Sequence, residues 1–147
     1  MFSECKGDIF DSGCDIIAIP VNLKGVMGKG LAKAFALKYP QFVPPYKLAI
    51  KNGLLAKNKP CSIQLDGKKF MMVPTKDDWR KPSSLADVTK TIQAISTMWP
   101  EISLSSKSLA LPALGCGCGG LDYDKVKEIV ENTFKYMEIK VELYQPL

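Results

Sequence analysis

At 147 residues and 16.2 kDa, with 46% hydrophobic and 24% charged residues, the chain has the size and composition of one globular domain with its own core. No apolar run approaches the ~20 residues needed to cross a bilayer, and Met1–Lys6 lacks the charged-then-apolar layout of a secretion signal, so a cytoplasmic protein without membrane attachment is expected. There is no histidine, which removes Ser-His and Cys-His catalysis, and five irregularly spaced cysteines suggest neither a disulfide framework nor a metal site.

Asp15–Val21 is a continuous apolar run that predicts a strand buried on both faces. Gly25-Val-Met-Gly-Lys-Gly30 follows it, then a helix marked by Leu31, Phe35 and Tyr39 and stopped by Pro40. Residues 41–59, with Pro44, Pro45, Asn52 and Gly53, give no clear order. Asp66-Gly67 between two apolar runs, Cys61–Leu65 and Phe70–Pro74, predicts a hairpin. Leu85, Val88, Ile92, Ile95 and Trp99 recur at helical spacing, with Ser83 or Ser84 as the cap and Pro100 as the stop. Ser108–Leu114 reads as a second buried strand, and Gly115-Cys-Gly-Cys-Gly-Gly120 follows. Asp122 can cap a last helix bearing Val126, Ile129, Val130 and Met137, and Ile139–Tyr144 reads as the closing strand.

This alternation implies one mixed sheet with helices on both faces. Each glycine-rich segment comes after a buried strand and before a helix, so both belong at the carboxyl edge of that sheet, where ligands bind. Glycine loops opening helices present backbone N–H groups to anions. The charge agrees: residues 24–90 carry 14 Lys+Arg against 4 Asp+Glu, a local +10 inside a net +5. Such a block suits phosphate-bearing partners, nucleic acid among them, although a solvated lysine surface gives the same count. A Walker-type loop is absent, because Gly28-Lys29 is followed by Gly30 and Leu23 stands where its first glycine belongs. Gly115-x-Gly117-x-x-Gly120 matches the dinucleotide fingerprint, but the 27 residues after Gly120 are too few for a second nucleotide-binding half.

Three segments carry a more specific likeness: Gly7-Asp-Ile-Phe10, Ile17–Asn22 running into Gly25–Ala32, and Pro112–Asp122. Together they resemble the macro domain family over nearly the whole chain. Val26–Gly30 and Pro74-Thr-Lys-Asp-Asp-Trp-Arg80 are most similar to the branch of DNA ADP-ribosyl glycohydrolases, the DarG antitoxins and related phage proteins. The resemblance implies a single macro domain over 1–147, bacterial or phage in type. Its fold would be a three-layer α/β/α sandwich on a mixed, mostly parallel sheet of about six strands.

It also implies an ADP-ribose site. Asp8 would accept from the adenine amino group, with Ile9 beside it and Tyr144 against the adenine or its ribose. Asn22 would bond the hydroxyls of the distal ribose. Met27, Gly28, Lys29 and Gly30, with Leu114, Gly115, Cys116, Gly117, Cys118, Gly119 and Gly120, would wrap the diphosphate and distal ribose. Cys116 and Cys118 would line the loop rather than act as nucleophiles, since no base stands ready to activate them. Lys76 falls at the catalytic lysine of this branch, able to attack the anomeric carbon or its opened aldehyde, or to stabilise the departing group. Related eukaryotic hydrolases carry an aspartate in the second loop where this chain has Gly119, which leaves Asp77, Asp78, Asp122 or water as the acid. Trp79 and Arg80 would grip an unstacked base and its phosphate in a DNA contact.

The expected activity is therefore hydrolysis of ADP-ribose from a modified macromolecule, DNA carrying thymine-linked ADP-ribose above all, by a monomer needing no cofactor or metal. Two alternatives stay open at this level. One is processing of free ADP-ribose 1″-phosphate or O-acetyl-ADP-ribose, and the other is a non-catalytic ADP-ribose reader.

Overall fold

The computed structural model describes all residues except Asp77, Trp79, Cys118 and Leu147. Among the described residues the strands are β1 (Phe2–Cys5), β2 (Ile16–Asn22), β3 (Cys61–Leu65), β4 (Lys68–Lys76), β5 (Ser108–Leu111) and β6 (Lys140–Tyr144). The α-helices are α1 (Gly30–Lys38), α2 (Val43–Lys51), α3 (Leu85–Ile102) and α4 (Tyr123–Phe134). One sheet has the order β1-β6-β5-β2-β4-β3, with every neighbouring pair parallel except β3 and β4.

The continuous apolar strands work because both faces are covered. In β2, Ile16 and Ala18 enter the core under α3 and α4, while Ile19 and Val21 face the cluster built on α1 and α2. In β4, Met71 and Val73 share the first core, Phe70 and Met72 the second. Phe35 of α1 and Phe42 close on Phe70, with ring centroids 4.8 and 5.0 Å away at steep angles that suit aromatic edges and faces. On the other side, Val88, Ile92, Ile95 and Trp99 of α3 are all buried, each contributing about 1.5–3 kcal/mol by leaving water. The three-layer α/β/α arrangement and the six-stranded mixed sheet match the expected fold.

Five local readings need correction. β1 is an additional strand, its pairing supplied by β6 from the far end of the chain. Residues 43–51, which show no clear order in the sequence, form α2: Pro44 and Pro45 sit in its first turn, where no intrahelical N–H bond is lost. Pro100 does not stop α3. Its ring is solvent-exposed and the ladder resumes beyond it, Ser103 N–H donating to the Trp99 carbonyl at 2.7 Å. The strand from Ser108 ends at Leu111 rather than Leu114, and Met137 packs against the core from beyond the end of α4. The hairpin turn is as expected, with Asp66 and Gly67 both at positive φ, 52° and 75°.

Candidate functional site

Because β1, β6, β5, β2 and β4 run parallel, their carboxyl ends share one edge, and a cavity of about 610 Å³ opens there. That volume is in the range of small-molecule and cofactor sites. Its wall is built from both glycine loops, the Gly7–Ile9 turn, the ends of β2 and β4, and the residues just after β5 and β6.

The first loop hangs on Asn22, which is 7% exposed. Its Oδ1 accepts from the Lys24 N–H at 2.9 Å and the Val26 N–H at 3.3 Å, and its Nδ2 donates to the Val26 carbonyl at 2.6 Å. From α2, the Tyr46 hydroxyl donates to the Asn22 carbonyl at 2.7 Å. Burial pushes the Tyr46 hydroxyl pKa up to about 12, so the group stays a donor at neutral pH. Asn22 stands in the cavity wall, but most of its side-chain capacity closes its own loop, which leaves one Nδ2 hydrogen for a ligand. Beyond it, Gly28, Lys29 and Gly30 line the cavity and lead into α1.

Backbone bonds hold the second loop. Cys116 N–H donates to the Ala113 carbonyl at 3.1 Å, Gly120 N–H to Gly117 at 3.2 Å, and Leu121 N–H to Gly115 at 2.8 Å. Ser83 N–H, arriving from the segment before α3, donates to the Gly119 carbonyl at 3.1 Å. Gly115 has φ +74°, and an added Cβ at Gly119 would overlap the Gly115 carbonyl oxygen and the Ser83 Oγ. An aspartate cannot occupy position 119 in this loop without displacing backbone, which accounts physically for the glycine there. Cys116 lines the cavity, and burial raises its thiol pKa with the Asp122 carboxylate adding to the effect, so it stays a protonated lining group.

Lys76 ends β4 directly beside Asn22. The β2–β4 register runs Val21↔Pro74 and then Asn22↔Lys76, so a bulge skips Thr75. Such an irregularity re-aims the next side chain. Here both Thr75 and Lys76 reach the cavity wall. Among the described residues Asp8 is the one acid of that wall; its Oδ1 caps the turn at Ile9–Asp11 by accepting from the Phe10 N–H at 2.9 Å. Of the acids expected to assist Lys76, Asp77 lies outside the described residues. Asp78 is gripped at both oxygens by Arg80, at 2.9 and 2.6 Å, and this guanidinium holds the carboxyl well below the usual carboxylate range. Asp122 caps α4 through the Asp124 N–H at 2.9 Å and is absent from the cavity wall.

The cavity therefore brings together Asp8, Ile9, Asn22, Gly28, Lys29 and Gly30 with Lys76, Gly115, Cys116, Gly117, Gly119 and Tyr144. Three residues read as ligand contacts are not in its wall. Leu114 is fully buried and anchors its loop in the core, Met27 packs on the α1/α2 cluster, and Gly120 serves the turn into Leu121. Arg80 also stands outside the wall, exposed and paired with Asp78, while Trp79 and Cys118 lie outside the described residues. Ser83 and Thr75 line the cavity without having been read as ligand contacts: neither a residue before a helix cap nor one inside a strand carries a sequence signal for that role.

No protein-family model matches the chain. The chain is 32% identical over 151 residues to the "DNA ADP-ribosyl glycohydrolase" of Mycobacterium tuberculosis, an alignment covering 99% of this chain and 42% of that protein. It thus spans about 42% of the length of the curated relatives it matches first. Among solved structures, the macrodomain of M. tuberculosis DarG superposes with a TM-score of 0.91 at 32% identity, covering 100% of this chain and 99% of that one. Thermosipho africanus DarTG in complex with ADP-ribose superposes with a TM-score of 0.92 at 30% identity, over 99% of this chain and 42% of that one.

Proposed function

The chain belongs to the macro domain family, in its DarG branch, and from that premise we propose that it binds ADP-ribose in the cavity between its glycine loops and hydrolyses ADP-ribose from DNA. The observation that carries the reading is the placement of Lys76 beside Asn22, in the wall of a cavity that both glycine loops line.

The chemistry follows from the donors present. Backbone amides at the start of α1 and in the second loop suit the diphosphate, because glycine permits close approach and a helix start favours negative charge. Asp8, an acceptor only, suits the exocyclic amine of adenine. In hydrolysis the bond between the anomeric carbon and the base nitrogen breaks, while water supplies hydroxyl to the carbon and a proton to the base. The Lys76 ammonium stabilises the negative charge that develops on the departing base. Asp78 cannot act as the acid while Arg80 holds it ionised, so among the described residues Lys76 carries the burden. A DNA substrate is supported by the basic block over residues 24–90 and by the names of the relatives.

The test is to incubate the chain with an oligonucleotide carrying thymine-linked ADP-ribose, with an ADP-ribosylated protein and with ADP-ribose 1″-phosphate, alongside Lys76→Ala. Release from the oligonucleotide alone, lowered about 10²–10³-fold in the variant, is the expected result. Full activity in Lys76→Ala would remove the mechanism, and turnover confined to the 1″-phosphate would replace the reaction.

A further inference from the structure

Ser83 stands one residue before the cap of α3, is 8% exposed and forms part of the cavity wall. Its N–H is used by the Gly119 carbonyl, yet its buried Oγ has no hydrogen-bond partner among the described residues. Native proteins retain few such groups, because a buried hydroxyl left unpaired is destabilising. Its surroundings indicate what would pair it. The Oγ lies against Gly119, where even a single Cβ would overlap it, so only glycine backbone covers it on that side. The position also leads into the N-terminus of α3, an 18-residue helix whose positive end favours an anion.

We propose that Ser83 is a ligand-positioning residue: its hydroxyl donates a hydrogen bond to an oxygen of the diphosphate–ribose half of ADP-ribose, where that half meets the second glycine loop. This rests on the ADP-ribose reading above. Asn22 spends most of its side-chain capacity on its own loop, whereas Ser83 Oγ contributes no hydrogen bond to the folded chain. A loss of binding without a loss of stability is therefore its signature, and a purely structural serine would give the reverse.

Ser83→Ala keeps the Cβ and removes only the unpartnered atom. Its melting temperature without ligand should equal or exceed that of the wild type. Calorimetric titration should show ADP-ribose affinity reduced about five- to tenfold, the effect of one lost hydrogen bond. Titration with ADP identifies the partner. Equal weakening for ADP assigns the bond to the diphosphate, and weakening confined to ADP-ribose assigns it to the terminal ribose. Wild-type affinity of the variant for both ligands would overturn the proposal, as would a clear drop in its ligand-free melting temperature. If the wild-type chain itself binds no ADP-ribose, the ADP-ribose reading falls and this inference with it, an outcome separable from failure of the variant alone.

Discussion

The two glycine loops line one cavity but are shaped by opposite means. Residues 22–30 are organised from a side chain: Asn22 gathers the Lys24 and Val26 amides and the Val26 carbonyl, and Tyr46 fastens it from below. The second loop depends on missing side chains at Gly115 and Gly119, with backbone bonds closing the turn and no room for a Cβ at Gly119. Each loop is therefore fragile in a different place. The first should fail when its polar hub is removed and should tolerate added carbon at Gly28. The second should fail when carbon is added at Gly119.

The largest effect should come from Gly119→Ala. Its Cβ meets the Gly115 carbonyl and Ser83, so the loop must shift; urea denaturation should show a loss of about 1–3 kcal/mol, and ADP-ribose binding should fall more than about tenfold. Asn22→Ala comes next. It strands two backbone amides and a carbonyl, for a loss of about 1–3 kcal/mol in the same measurement. Tyr46→Phe should cost less, about 1 kcal/mol, since it removes one hydroxyl proton shared between the Asn22 carbonyl at 2.7 Å and Asn22 Oδ1 at 3.3 Å. Gly28→Ala should be nearly silent in stability, within about 0.5 kcal/mol, because the added carbon meets only Val26 Cγ1 at an ordinary 3.5 Å. A Gly28→Ala change as damaging as Gly119→Ala would erase the contrast between the loops.

Tyr46 supplies a pH test of the first loop. Burial raises its pKa from 10.0 to about 12, so an unfolded chain loses this proton near pH 10 while the folded chain keeps it until about 12. Its contribution is thus complete below pH 10 and is lost as pH rises toward 12. Urea midpoints measured across that window should fall with pH, and the fall should be shallower in Tyr46→Phe. An identical slope in both proteins would show that Tyr46 is not the group responsible.

How legible these regions were in sequence follows the same division. Buried strands such as β2 and the stripe of α3 announce themselves through apolar spacing, because burial selects residues one position at a time. β1 does not: Phe-Ser-Glu-Cys has no alternation of its own, and its place is set by β6. α2 was hidden by Pro44 and Pro45, which read as breakers until their first-turn positions are known. The glycine loops and Lys76 were visible as a pattern, but their mechanics were not. That Asn22 is spent largely on its own loop, that a bulge at Thr75 sets Lys76 beside it, and that Arg80 is turned onto Asp78 all depend on contacts between elements. Ser83 was legible only as a helix start, since its unpaired hydroxyl is a property of what packs around it.

Whether the two loops form one ADP-ribose site can be read from titration calorimetry of the whole chain with ADP-ribose. Saturable one-to-one binding is expected in the wild type, weakened more than about tenfold in Gly119→Ala, while Gly28→Ala stays folded. No binding by the wild type, or unchanged affinity in Gly119→Ala, would contradict a shared site.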